Sequence, residues 1–440
     1  MSVSPLAPVI FTLKNVASQP RACVKLDGVL YNLDRYEIKK NAHGATNTAN
    51  FVLPYTGNPD WPKKLFRDPT TPGPVYCELW AGFPTNPGSA PSLDGLSRRF
   101  FGIIDQYEAQ DMDVTEFTCR SIAAPLTTDR VSTSVQNMTT VDFLKATCAP
   151  YNLKIVIDPE LTNPATLAKV YAQEYIVGLH NLIKWDVLLR SSIVDDVDVW
   201  EDDGTLYYVH PWNVVSVMQS QGDSSRNYSP ISLTYGTSIK SFEGTHAPQF
   251  SRQIRVHVFS YTAKIRQSVS TRVQSVVSGV DVSQVAKTSY AQPQWGQAGG
   301  TTTTYGDNGS VTYSRWSSSG GSSSGSNAPI SESGIEHYNI PIVNATPAEC
   351  QAIAEAIWRQ ISMHEYQGKF VLDVTPETLP YFNIEGRFSL AGYGMSAFNT
   401  QYWPRDVTET FEMSDEGDDA PGWTVEIQGV NHTLPLGGGV

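Results

Sequence analysis

The side chains best suited to chemistry in this sequence are its adjacent carboxylates, Asp195/Asp196, Asp202/Asp203 and Asp418/Asp419. Glycoside hydrolysis needs two carboxyl groups about 5–10 Å apart across a cleft. Neighbouring acids on a strand point to opposite faces, and acids in turns face water, so these pairs predict no such cleft. The run Ser414-Asp415-Glu416-Gly417-Asp418-Asp419 offers several hard oxygens of the kind calcium takes. It lacks the ligand spacing of an EF-hand and reads as a solvated loop. The eight histidines lie far apart: His210 precedes a proline at a strand end, His257 alternates within a strand, and His432 ends the last one. No HExxH, GxSxG or P-loop pattern occurs.

Five cysteines, Cys23, Cys77, Cys119, Cys148 and Cys350, are scattered and odd in number. None has metal-ligand or CxxC spacing, which predicts reduced, packed thiols rather than a disulfide framework or a zinc site, as suits synthesis in a cytoplasm. Nothing singles out a Cys/His nucleophilic pair. Tyrosine (21) and tryptophan (10) are abundant enough for a lectin, where rings stack on sugar faces. They mostly alternate within strands, which favours core or subunit contact. The chain is therefore expected to have no catalytic residue, no cofactor and no metal ligand.

The elements that carry these residues are mainly strands. At 440 residues the chain has room for about two to four domains. Only 17% of residues are charged, while 33 glycines and 28 prolines mark many turns. The net charge of −13 argues against sequence-independent DNA binding, which needs a cationic footprint. It suits a channel through which DNA slides without sticking. No apolar run approaches the ~20 residues of a membrane span, and the N-terminus lacks the pattern of a signal peptide. The expectation is a soluble protein made without export.

One hairpin organises the first third. Phe101 to Glu108 and Val114 to Arg120 alternate as two strands around Gln110–Asp113, and Pro125 ends the run. Before it, Ala22 to Leu26 and Val29 to Tyr31 flank Asp27-Gly28, a type I′ turn signal. Arg35–Lys39, Asn50–Leu53 and Val75–Trp80 add strands, with a Pro-rich loop around Trp61 and Phe66 nominated for subunit contact. Residues 1–125 thus read as an antiparallel β-barrel.

Residues 126–220 read as an α+β module. A Thr139-capped helix runs to Cys148, a strand spans Leu153–Ile157, and a helix spans Asn181–Ser192. A hairpin then turns at Glu201–Gly204. Residues 221–265 and 336–440 read as a second barrel carrying one helix. That helix is opened by the capping box Thr346-Pro347-Ala348-Glu349 and buries Ile353, Ala354 and Ile357. The last two strands, within Tyr402–Val430, echo the Phe101–Arg120 hairpin. Residues 266–335 read as a Ser/Gly/Thr-rich insertion: a ribbon from Thr301–Tyr305 and Ser310–Trp316, then a flexible tract at Ser317–Asn327. The fold class expected is α+β, mainly β.

FFGIIDQYEAQDMDVTEFTCRS, NMTTVDFLKATCAPYNLKIVID and LIKWDVLLRSSIVDDVDVWEDDGTLYYVHP together resemble the phage baseplate-hub family. That family is also called late control gene D, and includes the hub of phage Mu and the N-terminal region of type VI secretion spikes. ISLTYG followed by IRVHVFSYTAK resembles its return into a second barrel, and LPYFNIEGRFSLAG and WTVEIQGVNHTLP fit its C-terminal pattern. The resemblance implies a homotrimer, two tube-like barrels per subunit, and hence six similar barrels facing a sixfold tail tube.

It further implies a tail-tube or distal tail protein above and a central spike or tip protein below. The C-terminus of a tape-measure protein would lie inside, with DNA in transit. The place implied is the virion tail, assembled in the bacterial cytoplasm, and the role is structural rather than enzymatic. The alternative is a glycan-binding or glycan-cleaving tail-tip protein, with 266–335 touching the host surface. A secretion spike base is a third reading.

Overall fold

A computed structural model of the chain describes residues 9–10, 19–42, 46–54, 73–84, 92–110, 114–136, 139–151, 153–162, 176–221, 226–247, 254–261, 288–289, 299–305, 311–317, 336–343, 353–354, 356–357, 360–361, 363–413 and 422–431. The loop at Trp61 and Phe66, the Ser317–Asn327 tract beyond Ser317, Ser414–Asp419, His432, Cys350 and the capping box at Thr346 lie outside them.

Two turns set the local geometry. Asp27 and Gly28 have φ of 45° and 97°, and Asp203 and Gly204 have 52° and 78°. Positive φ at both central residues is the type I′ condition, which matches the twist of the strands it joins. The first turn joins Arg21–Leu26 to Val29–Asn32, and the second joins Asp198–Asp202 to Thr205–Val209.

The organising hairpin forms between Leu96–Gln110 and Val114–Ser121, with a register shift between Ile104 and Gln106. Its expected counterpart forms between Gln401–Glu412 and Gly422–Val430, with a shift between Pro404 and Asp406. Both leading strands therefore carry a bulge, at Asp105 and at Arg405, a device that bends a strand and re-aims one side chain. Each hairpin leads a run of ladders. In the first, Val29–Asn32, Arg21–Leu26, Tyr76–Gly82, the hairpin, Thr48–Pro54 and Arg35–Asn41 lie side by side. In the second, Ser241–His246 pairs with Tyr366–Asp373, which pairs with the second hairpin. Phe388–Ala391 and Ile231–Thr234 lie beyond.

Where closed barrels are expected, the described ladders form one branched, open 14-stranded sheet. The two ends of each run are nevertheless adjacent in the chain. Leu33 and Asp34 are all that separate Val29–Asn32 from Arg35–Asn41. Their N–H groups donate to Ala22 O and Val52 O, both at 3.3 Å, one on each flanking strand. Ile231–Thr234 and Ser241–His246 are linked in the same way. Tyr235 N–H donates to Ala391 O at 2.9 Å and Lys240 N–H to Val371 O at 2.8 Å. The two runs are fused where Arg35–Asn41 pairs with Asp406–Glu412. Alternation puts Tyr36, Ile38, Val407, Phe411, Val425 and Ile427 into a shared core.

The α+β module has its own core, with Phe143, Leu144, Trp185, Leu188 and Tyr208 among its members. Lys154–Ile157 runs parallel to Thr205–Val209, against which Asp198–Asp202 is antiparallel. Thr139 caps Thr140–Cys148 by accepting Asp142 N–H at 3.1 Å. The second helix begins later than expected, at Lys184, because Ile176–Ile183 is a strand paired with Arg130–Gln136. Asn181 sits at φ 54°, left-handed backbone that no helix interior uses.

In the insertion, the ribbon forms as Gly299–Tyr305 against Val311–Ser317. Ile254–Tyr261, expected to return into the second barrel, instead pairs in parallel with Glu336–Val343 in this separate five-stranded sheet.

Candidate functional site

The described acidic pairs are built into the protein rather than into a cleft. Asp202 and Asp203 stand at the tip of the module hairpin, which inserts against the first sheet run. Lys40 Nζ donates to Asp202 Oδ1 at 2.9 Å, with both side chains 1% exposed. Arg226 reaches Asp202 at 3.1 Å and Asp203 at 3.6 Å. Arg98 grips Asp203 with two bonds of 2.7 and 2.9 Å. Gly204 is needed at this tip for space as well as for φ: a Cβ there would lie 2.9 Å from Phe101 and 3.1 Å from Ile122.

A second ion pair continues the network into the C-terminal hairpin. Arg99 donates to Glu409 through Nε and Nη2 at 3.1 and 3.0 Å. Tyr36 Oη donates to Glu409 at 2.5 Å and Trp423 Nε1 at 3.2 Å. Burial pulls the Lys40 ammonium below its ordinary value, against the pull of Asp202. Burial would raise Asp202, but Arg226 and Lys40 outweigh it and hold the carboxyl below the usual range. Arg99 and Lys40 do the same for Glu409. Glu201 has weaker compensation and is pushed by burial to about 7.

This arrangement ties four elements together, with Arg226 adding a further cation at the module tip. Strands Arg35–Asn41 and Leu96–Gln110 supply cations; the module tip and the C-terminal hairpin supply anions. Buried ion pairs of this kind are weak sources of net stability, yet removing one partner strands an uncompensated charge. They therefore suit fixing one relative placement. Backbone links support the same junction: Ala42 forms a bridge with Trp200, and Asn47 Nδ2 donates to Glu201 O at 2.7 Å.

Asp195 accepts Tyr208 Oη at 2.6 Å, and burial raises its carboxyl to about 6. Asp196 ends the second helix in left-handed backbone, φ 55°. Arg405, re-aimed by its bulge, donates to buried Glu385 at 2.7 Å. An open pocket beside it, lined by Asp198, Pro211, Met363 and Arg405 among others, holds about 10 Å³, room for a single water and far below the ~300–1,000 Å³ of small-molecule sites. Four cysteines, Cys23, Cys77, Cys119 and Cys148, are free and buried. No helix among the described residues is long and apolar enough to cross a membrane.

One cluster escaped the reading of the sequence. Asp158, Glu160 and His210 bring ligand atoms within 4.8 Å of one another. Fifty residues separate the acids from the histidine. The signal that would have joined them is the parallel pairing of Lys154–Ile157 with Thr205–Val209, whose ends they occupy.

No protein-family model and no curated protein matches the sequence. Solved structures do. The 43 kDa tail protein of prophage MuSo2 from Shewanella oneidensis is 13% identical, with a TM-score of 0.54 over 94% of this chain and 98% of that one. The tail protein from Neisseria meningitidis MC58 is 11% identical, with a TM-score of 0.54 over 95% and 98%. The Francisella PdpA–VgrG complex, lidded, is 8% identical, with a TM-score of 0.52 over 96% of this chain and 54% of that one. The chain has the fold of phage tail proteins, as the resemblance to the baseplate-hub family implies.

Proposed function

We propose that this chain is the structural hub of a phage tail baseplate or tail tip. The observation that carries the reading is a fold shared over nearly the full length of both chains with two prophage or bacterial tail proteins. In this reading residues 1–125 form one tube-like barrel, and 221–265 with 336–440, less the strands Ile254–Tyr261 and Glu336–Val343 that pair in the separate sheet, form the other. Residues 126–220 are the module between them, and 266–335 the insertion. The two corners, at Leu33–Asp34 and at 235–240, support this division, because each joins the ends of its own run of ladders.

Three subunits would present six such barrels and so match a threefold hub to a sixfold tube. The partners are the tail-tube or distal tail protein, the central spike or tip protein, and the C-terminus of the tape measure. DNA passes without specific binding. A trimer carries three times the −13 of one chain, −39, and an acidic lumen would not retain it. The place of action is the virion tail, after assembly in the host cytoplasm.

The role is structural and non-catalytic. The described acidic pairs support this over glycan cleavage, since Asp202 and Asp203 are neutralised by Lys40, Arg226 and Arg98 inside the protein. Antibody labelling of intact virions tests the reading, with label expected at the distal end of the tail. Label on the capsid, or release of sugars from peptidoglycan or capsule by the purified chain, would overturn it.

A further inference from the structure

We propose that Asp158, Glu160, His210 and Asn213 form a binding site for a first-row divalent cation, Zn²⁺ or Mn²⁺, which pins the ends of two parallel strands in the α+β module. Asp158 follows the strand Lys154–Ile157, and its N–H donates to Tyr208 O at 2.9 Å. His210 follows Thr205–Val209. The end of a parallel strand pair thus brings a buried carboxylate and a buried imidazole together.

Three observations point to an ion there. His210 is 7% exposed; its backbone N–H donates to Asp158 Oδ2 at 3.0 Å, and its Nδ1 faces the same oxygen at 3.0 Å, an ion-pair distance without a well-aligned hydrogen bond. Nδ1 is a buried donor atom aimed at a carboxylate, as two ligands of one ion are. Asp158 is fully buried, while Glu160 is exposed and leaves the cluster open to solvent on one side.

The third observation is Asn213. Its Nδ2 lies 3.2 and 3.0 Å from the two oxygens of Asp158 and 2.9 Å from Glu160 Oε1. One amide group with two hydrogens thus faces three carboxylate oxygens. Turning the amide over places Oδ1 at the same point, which is the ordinary ambiguity of an Asn side chain. The donor set becomes two carboxylates, an amide oxygen and an imidazole nitrogen. Donor atoms bound at about 2.1 Å lie roughly 3.0–3.4 Å apart at right or tetrahedral angles. His210 Nδ1 stands 3.0 Å from Asp158 Oδ2 and the Asn213 amide 2.9–3.2 Å from the carboxylate oxygens, while the ligand atoms of Asp158, Glu160 and His210 lie within 4.8 Å of one another. The imidazole favours Zn²⁺ over Ca²⁺ and Mg²⁺, which prefer oxygen alone, while the three oxygen donors beside it also suit Mn²⁺. Trp212 stacks on His210 with centroids 4.7 Å apart, which restrains the ring and puts a fluorophore beside the site.

The test uses the tag-free full chain, stripped with EDTA and titrated with ZnCl₂, MnCl₂, CaCl₂ and MgCl₂ while calorimetry and tryptophan fluorescence are recorded. The expected result is one Zn²⁺ or Mn²⁺ per chain, a metal-dependent fluorescence change, and a higher melting midpoint. Ca²⁺ and Mg²⁺ should bind more weakly. Glu160→Gln should melt like the parent without metal and lose about tenfold or more in affinity. His210→Gln should lose the site. If His210→Gln does not fold, the exposed Glu160→Gln carries the test. No saturable binding, or binding unchanged in Glu160→Gln, would overturn the site and leave the hub reading untouched.

Discussion

Arg99 and Glu409 stand 310 positions apart in the sequence and 3.0 Å apart in the fold, their side chains 1% exposed. The strand bearing Glu409 is also the one that pairs with Arg35–Asn41 and so fuses the two sheet runs. Chain pairing brings the runs together, and the buried charges make that placement selective. A one-residue slip would move Glu409 to the opposite face and leave Arg99 buried without its partner.

Arg99→Met should therefore cost about 3–5 kcal/mol, since it leaves Glu409 with two neutral donors and, of its two nearby cations, only Lys40, which is already paired with Asp202. Adding Glu409→Gln keeps an acceptor for Tyr36 and Trp423 while removing the stranded charge. The double variant should melt above Arg99→Met. Strictly additive losses in thermal melts would mean that the two residues do not act as a pair.

Stability should depend on pH in two opposed ways. The Glu201 carboxyl is raised by burial from an ordinary 4.5 to about 7. Between those values the folded chain holds a proton that the unfolded chain has released. The stability it contributes is complete below about 4.5 and is lost as pH rises through about 7. Asp202 and Glu409 are held low, so their contribution is present above the ordinary carboxylate range and lost as pH falls through their folded values. Glu201→Gln should flatten the decline of the melting midpoint between pH 4.5 and 7. A parallel decline in the variant would assign the slope elsewhere, with Asp195 at about 6 the next candidate.

Several glycines are set by space. A Cβ on Gly102 would collide with Arg120 O and stand 2.6 Å from the Phe100 ring. One on Gly368 would stand 2.8 Å from Phe370 and 2.9 Å from Phe242. Gly422 has nothing within 4 Å. Gly102→Ala should lower the melting midpoint well below that of Gly422→Ala, because overpacking costs about 1–3 kcal/mol. Equal midpoints would contradict the packing described for the first hairpin.

The described thiols should be inert in the native state. Burial raises Cys148 to about 12 and Cys119 well above its ordinary value; it raises Cys23 as well. Alkylation at pH 8 followed by peptide mapping should leave Cys23, Cys77, Cys119 and Cys148 unlabelled until denaturant is added. Rapid native labelling of Cys119 would place its strand at a mobile edge.

Local patterns were legible where one face is buried. The Asp27-Gly28 and Asp203-Gly204 turns, the alternation of Phe101 to Arg120 and the Thr139 cap all follow from nearest neighbours in the chain. Long-range pairing was not. Nothing around Ile254 indicates a parallel partner at Glu336, and Asn181 carries helix-compatible spacing after it while its own backbone is left-handed. The pair Asp202/Asp203 looked solvated because its cations, Lys40, Arg98 and Arg226, lie elsewhere in the sequence. The Asp158–His210 cluster was hidden for the same reason: strand ends meet only once the parallel ladder exists.

The central claim is a hub built from three copies of this chain, and light scattering of the purified full chain tests it most directly. The account predicts a mass of about 145 kDa, three times the 48.4 kDa of one chain, alone or on mixing with the tail-tube protein. A species that stays at 48.4 kDa under both conditions would contradict it.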